Sequence, residues 1–445
     1  MDPNAIGVAN VVTANGARFY VDHAHPEYSS PECTNAWDAM LYDAAGDLIL
    51  RRAADAVNEL TAQGTSVLAH HDPCPPLKFY KNNVDGKGAS YGSHENYQYS
   101  RGTDFEDIAQ GLIPFFVTRQ VVTGAGRMGL GPDGDEPGFQ ISQRADYIET
   151  EISLETTLNR GIINTRDEPH AVAEDFGRLH VIIGDANMSQ TSNFLKLGMT
   201  SLVLDAIEDG IDFSDLRLAD PVAEVQRVSR DLTLSHELVL HDGRRLTALD
   251  ILRVYRERVT ATSAADERVL AAWDEVVALL ADDPLKAAHL LDWVAKYRLI
   301  KGYLDRGVAP EDPKLALIDL QYTDIDPAKS LHHALVRKGQ MRTLVTEEEL
   351  IHAAENPPSD TRAYLRGRAT QKFGEDVLAA SWQSLTFRVG ESNGAESGAA
   401  HVPLDVTTRL GREDVGTLLE SSAHAKEFVE GLRQLSVPIE YPTLY

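Results

Sequence analysis

An α+β fold is predicted for this chain on three observations. Short strand-like stretches, among them an alternating one at residues 18 to 22, sit near the amino terminus and between residues 77 and 184. Long helix-period segments fill residues 35 to 60 and most of the chain from 247 to 375. No fixed-period repeat runs through the sequence, which argues against a solenoid or propeller. Mixed strands with long helices are the pattern of an α+β architecture.

The first element carries the densest chemistry. In Arg18-Phe-Tyr-Val-Asp22 the residues alternate, so Arg18, Tyr20 and Asp22 share one strand face, while Phe19 and Val21 are expected to face a core. Pro26 lacks a backbone donor and is expected to end the strand, leaving Glu27 on the following turn. Carboxylates, imidazoles and a guanidinium therefore converge. By itself this spacing also fits a half-buried surface strand with a His-rich turn.

Residues 35 to 60 carry apolar side chains at helical spacing and predict a helix, followed by a Pro-rich break at 73 to 76. Residues 77 to 83 and 93 to 100 predict two strands around the Asp-Gly-Lys-Gly turn at 85 to 88. On the second, His94, Asn96 and Gln98 share a face. Gly124-Ala-Gly126-Arg-Met-Gly129 matches the letters of a dinucleotide fingerprint, but the Gly- and Pro-rich residues after it cannot open a helix, so a flexible or substrate-covering loop is expected. Residues 179 to 184 read as a buried strand, with His180 either a satisfied core histidine or a ligand. A hairpin is expected around Asp242-Gly243, and Thr247 with Asp250 forms a capping box for a helix through Val259. Val269, Leu270, Trp273, Val276, Val277 and Leu280 mark a core-facing helix. Helical segments follow to residue 375, and residues 391 to 400 read as a mobile loop.

Composition bounds the class. The chain has 445 residues, 43% hydrophobic and 25% charged, and a formal net charge of −26. That charge argues against general nucleic-acid binding. No apolar run reaches the length of a membrane helix; residues 112 to 117 are among the longest. The amino terminus lacks the features of a secretory signal, so cytoplasmic residence is expected. Cys33 and Cys74, the only cysteines, are too few for a disulfide framework or closed zinc site.

The stretch Asp22-His-Ala-His-Pro-Glu-Tyr-Ser-Ser-Pro-Glu32 resembles the active-site strand of the depupylase and Pup ligase family, which belongs to the carboxylate-amine ligases related to glutamine synthetase. Further segments resemble the family in the right order: residues 79 to 97, 114 to 124, 160 to 170, 179 to 187, 292 to 296, 319 to 322 and 380 to 382. Asp-His-Ala-His-Pro-Glu and the Gly-Asp-Glu-Pro-Gly-Phe-Gln stretch at 134 to 140 resemble the depupylase branch more than the ligase branch.

This resemblance implies a glutamine synthetase-like domain at residues 1 to 375, with a curved antiparallel sheet that cradles ATP and Mg2+, and a small carboxy-terminal domain at 376 to 445. It implies Pup and pupylated proteins as partners, a link to proteasomal degradation, and hydrolysis of the isopeptide bond to the Pup carboxy-terminal Glu, with deamidation of a Pup ending in Gln. Alternatives are a Pup ligase and a non-catalytic Pup-binding protein. Residue by residue, the match makes Asp22 the catalytic carboxylate, as nucleophile or base. Tyr20, Glu27 and His180 fall at metal positions, and Arg18, Ser30, His94, Arg144, Arg166 and Trp382 at nucleotide positions. Trp382 could stack on adenine or simply pack in a core.

One departure stands out: family members open with a Glu-x-Glu-Tyr-Gly strand that holds metal. Met1-Asp-Pro-Asn-Ala-Ile-Gly7 begins where the family has a loop. Glu149-Thr-Glu151 has the spacing but belongs to another segment. Two explanations compete, a truncated start and a variant that has lost two metal ligands; a truncated start of an active family member is the favoured expectation, with weak activity or none in the chain as given.

Overall fold

The computed structural model describes residues 10–22, 25–390 and 398–441. The chain divides into two compact units: one gathers the described residues up to Leu77, His170–Ala173 and the chain from Val345, the other Lys78–Pro169 and Glu174–Leu344. Helices and strands are mixed in both, as an α+β chain requires.

The first unit opens with an antiparallel three-stranded sheet in sequence order, Asn10–Val12, Arg18–Asp22 and His25–Ser29. The turn between the first two closes through Thr13 N–H to Ala17 O (2.9 Å) and Gly16 N–H to Thr13 O (2.9 Å). Gly16 has φ +80°, and a Cβ there would lie 2.5 Å from the Ala363 carbonyl oxygen, so both conformation and space demand glycine. Pro26 does not end the chain's extended course. It sits within the return strand, paired with Val21, and Glu27 is on that strand opposite Tyr20 rather than on a turn. Among the described residues the return strand has only one neighbour, and an edge strand tolerates a residue without an N–H. Val21 is 57% exposed and does not face a core, because the strand end at Val21–Asp22 runs out of the packed part of the unit.

Asn35 caps the helix Ala36–Ala62 by accepting from the Asp38 N–H, as the spacing at 35 to 60 predicts. This helix buries Tyr42 and Ala45 against Ala353 and Ala354 of Glu347–Glu355. Downstream, Ala363–Phe373, the antiparallel strands Val377–Ala380, Ser384–Arg388 and Ala399–Pro403, and the helices Arg412–Ser421 and Ala425–Gln434 share one core. Phe387 and Phe428 are fully buried in it, each contributing roughly 1.5–3 kcal/mol by burial. The expected domain boundary at 375 falls inside this core, because Leu365, Ala369 and Phe373 before it pack with Leu385 and Val402 after it. Most of the expected loop at 391 to 400 lies outside the described residues; its last two residues, Ala399 and Ala400, begin a strand. Residues 1 to 7 also lie outside the described residues.

In the second unit the apolar run at 112 to 117 belongs to the helix Phe105–Thr123, whose residues from Gly111 to Thr123 are all buried. A helix buried on every side is a core helix. Among the described residues no helix is long and apolar enough to cross a membrane. A four-stranded sheet runs in the order Glu95–Ser100, Phe176–Val181, Gly161–Asn164, Thr150–Ser153, its last pair parallel and the others antiparallel. Residues 77 to 83 do not form the expected strand. Apart from a single bridge, Tyr80 with Asp324, their backbone is satisfied by side chains and turns: Asn83 N–H donates to Gln143 Oε1 (2.7 Å) and Leu77 N–H to Asn58 Oδ1 (2.6 Å). The glycine-rich stretch is a β-hairpin, Arg127–Leu130 with Glu136–Gln140, rather than a loop. A helix precedes Gly124 and a strand follows it, the reverse of a dinucleotide fingerprint. The hairpin Glu237–Val239 with Arg245–Thr247, the Thr247/Asp250 capping box and the buried stripe of Ala264–Asp282 all form as expected.

Candidate active site

Register decides the chemistry of the opening hairpin. The pairs Arg18 with Ser29, Tyr20 with Glu27 and Asp22 with His25 put six polar side chains on one face of two strands. The Tyr20 hydroxyl donates to Glu27 Oε1 at 2.5 Å. Burial raises the Glu27 carboxyl above its ordinary range; the Tyr20 hydrogen bond counters part of this and the nearby Asp22 adds to it. Burial and the hydrogen bond to Glu27 likewise raise the Tyr20 phenol, so it stays a neutral donor. Asp22 is exposed at the end of its strand, and Ser30 is exposed one residue past the end of His25–Ser29. The two oxygen-bearing groups Glu27 and Tyr20 are suited to a hard cation that fills its shell with phosphate and water oxygens. Among the described residues no three of His, Cys, Asp or Glu form a metal cluster. Cys33 and Cys74 are both free thiols.

Arg18 and Trp382 belong to the same unit and meet. Arg18 donates to Asn10 Oδ1 (2.6 and 3.2 Å) and to Ala380 O (3.0 Å), and its guanidinium stands 5.9 Å from the Trp382 ring centroid. Trp382 is half-buried in the turn between Val377–Ala380 and Ser384–Arg388, a turn closed by Ser381 N–H to Ser384 O (2.9 Å). A second guanidinium, that of Arg366, lies 4.7 Å from the same ring. Sequence reasoning passed over Arg366, although Arg362 and Arg366 are one helical turn apart and a charged pair on a core-facing helix needs a buried partner. The Trp382 indole is a flat aromatic surface on which a planar group can stack.

In the second unit the sheet presents its own polar face. Asn96 and Gln98 stand opposite His180 and Arg178. His180 Nδ1 lies 2.9 Å from Asn96 Oδ1, and the His94 ring meets the His180 ring edge-on at 4.9 Å. Burial, then the charges of His94, Arg178 and Arg166, lower the His180 pKa to about 3, so the imidazole is neutral at physiological pH. Arg166 follows the strand Gly161–Asn164, is exposed, and pairs loosely with Glu168 (3.5 Å). Arg178, which sequence reasoning also missed, donates to Asn96 Oδ1 (3.3 Å) and keeps a buried Nε without a hydrogen-bond partner. Its signal was present: it is two residues from His180 on the same strand face. Arg144 is different. It is 1% exposed, and its donors go to Ile182 O (3.2 and 3.0 Å) and Ser90 Oγ (2.8 Å), so its fork holds the backbone after Phe176–Val181 instead of facing outward.

Comparison with known proteins adds four findings. The chain matches the family described as Pup-ligase protein over residues 2–386. It is 51% identical over 439 residues to a protein of Mycolicibacterium smegmatis named Pup deamidase/depupylase, covering 97% of this chain and 85% of that one. It is 41% identical over 391 residues to a Pup–protein ligase of Paenarthrobacter aurescens, covering 85% of this chain and 84% of that one. Among solved structures, the Pup ligase PafA in complex with ADP superposes with a TM-score of 0.79 at 34% identity, covering 97% of this chain and 91% of that one.

Proposed function

The chain belongs to the Pup-ligase protein family, and within it we propose a hydrolase that cleaves the isopeptide bond between the carboxy-terminal Glu side chain of Pup and a substrate lysine, and that deamidates a Pup ending in Gln. The observation that carries this reading is the paired hairpin, which sets an exposed Asp22 on one face with Glu27 and Tyr20. Greater identity to the deamidase/depupylase than to the ligase supports hydrolysis over ligation.

Two routes use Asp22. As a nucleophile its carboxylate adds to the γ-carbonyl carbon, the C–N bond breaks, and the amine leaves with a proton from solvent. Water then opens the acyl-aspartate and frees the Glu side chain. As a base, Asp22 takes a proton from the water that attacks the same carbon and passes it to the amine as the C–N bond breaks.

A magnesium nucleotide fits the donor groups of the first unit. Glu27 and the Tyr20 hydroxyl would hold the metal, which relieves the unfavourable charge that burial and Asp22 impose on Glu27. Arg18, Ser30 and Trp382 would hold the nucleotide. The chemistry supplied by this group when bound is positive charge near the attacked carbonyl. On the second unit's sheet, His94, Arg166 and His180, joined by Arg178, have the donors for an anionic ligand. The neutral imidazole of His180 suits a hydrogen bond better than it suits magnesium, which prefers oxygen. Arg144 is assigned no ligand.

The test is to incubate the purified chain with a Pup-conjugated protein, ATP and magnesium, and to follow release of the unmodified protein on a gel. Release is expected from the parent and not from Asp22→Asn, which should bind Pup within about twofold of the parent because a neutral amide keeps the shape of the site. Formation of conjugate with stoichiometric ADP would overturn the reading in favour of a ligase. Pup binding without turnover would make the chain a binding protein, and cleavage by Asp22→Asn at the parental rate would remove Asp22 from the chemistry.

A further inference from the structure

The opening motif ends in Pro31-Glu32-Cys33, and nothing in the proposed reaction uses Glu32. Its carboxylate is nevertheless the centre of a three-charge contact with Arg362 and Arg366 in the first unit. Arg362 Nε donates to Oε1 at 2.7 Å, and Arg366 donates to Oε1 (3.1 Å) and, through Nη2, to Oε2. Arg366 is fully buried. Its Nε donates to Gly16 O (2.8 Å) and its Nη1 approaches Trp382 O (3.4 Å), so the guanidinium plane is tied on both edges while it sits 4.7 Å from the indole centroid.

Three charges gathered out of water are a poor route to stability, since such groups are often replaced by apolar side chains without loss. What the arrangement does supply is a fixed orientation. Trp382 sits on a short turn and is only half-buried, so a guanidinium locked against it restricts where the ring can go. A ring already held in place loses less freedom when a flat ligand stacks on it.

We infer that Glu32 and Arg366 are positioning residues that hold the Trp382 indole as the platform for the nucleotide base. The inference rests on the nucleotide reading of Trp382. Glu32 acts on Arg366, Arg366 on Trp382, and only Trp382 touches the ligand.

The experiment titrates ADP with magnesium into the full chain by calorimetry, for the parent, Trp382→Ala, Arg366→Lys, Glu32→Gln, and Arg366→Lys combined with Trp382→Ala. Lysine keeps a charge for Glu32 but lacks the planar fork, and Glu32→Gln supplies a second arm if one variant folds poorly. Trp382→Ala should weaken ADP about tenfold, the order expected for one aromatic–base stack. Arg366→Lys should weaken it about fivefold, the order of one partly buried cation–π contact. Glu32→Gln should follow in the same direction with a smaller loss. Because Arg366 acts through Trp382, the double variant should bind no more weakly than Trp382→Ala alone. Full additivity, or parental affinity in both Arg366→Lys and Glu32→Gln while Trp382→Ala weakens ADP, overturns the inference and leaves the Trp382 reading standing. Unchanged affinity in Trp382→Ala, or no ADP binding by the parent, overturns that reading and the inference with it.

Discussion

Replacing Glu95 by alanine should cost the second unit about 3–5 kcal/mol, the usual cost of stripping one partner from a buried ion pair. The magnitude follows from what Glu95 holds. Its carboxylate accepts from Arg119 Nη1 (2.9 Å), Arg119 Nη2 (2.6 Å) and the Tyr97 hydroxyl (2.5 Å), and both charged side chains are 2% exposed. Without it, Arg119 keeps Lys196 O (3.2 Å) and Thr200 Oγ1 (2.5 Å) but no counter-charge. In a unit of this size such a loss lowers the thermal midpoint by about 10 °C. The assay is scanning calorimetry of the parent, Glu95→Ala, and the double variant Glu95→Leu with Arg119→Met. An apolar pair of similar volume removes the charge problem, so the double variant should recover most of the lost stability. A single variant within 2 °C or so of the parent, or a double variant no better than the single, would refute the reasoning. The result bears on function because Glu95 opens the strand whose Asn96 contacts His180.

Three further outcomes are expected. Gly16→Ala should lower the thermal midpoint by several degrees, since it combines a left-handed backbone with a Cβ 2.5 Å from Ala363 O; a midpoint equal to the parent's would show that the turn can relax. Glu32, whose burial is outweighed by Arg366 and Arg362, has its carboxyl lowered from 4.5 to about 2 in the folded state. Its stabilising contribution is therefore present above pH 4.5 and lost as pH falls toward about 2, so Glu32→Gln should flatten acid destabilisation in that window; an unchanged pH profile would count against the ion pair. The His180 ring should remain neutral from pH 5 to 8 by nuclear magnetic resonance, consistent with a pKa lowered to about 3 by burial and by His94, Arg178 and Arg166; titration near 6.5 would mean an open, solvated imidazole.

Local periodicity made much of the fold legible in the sequence. The helix at 36 to 62, the stripe of Ala264–Asp282, the capping box at Thr247 and the hairpin around Asp242-Gly243 all depend on residues close together in the chain. Where the expectations missed, a distant partner had intervened. Side chains of Gln143 and Asn58 took the backbone donors that a strand at 77 to 83 would have used in a ladder. Pro26 could stay extended because, among the described residues, its strand has a neighbour on one side only. Arg144 looked like a ligand-binding fork, but the carbonyl of Ile182 and the hydroxyl of Ser90 occupy it.

By itself the sequence determined the α+β class, the family, and the residue types of the opening hairpin, because motif order and alternation are written along the chain. Only the tertiary structure decided that Tyr20 bonds Glu27, that Asn96 and Gln98 stand opposite His180 and Arg178, and that Glu32 reaches Arg362 and Arg366 more than three hundred residues away. Hydrogen bonds and ion pairs depend on angstrom-scale distances, and folding sets those distances between residues whose separation along the chain says nothing about them.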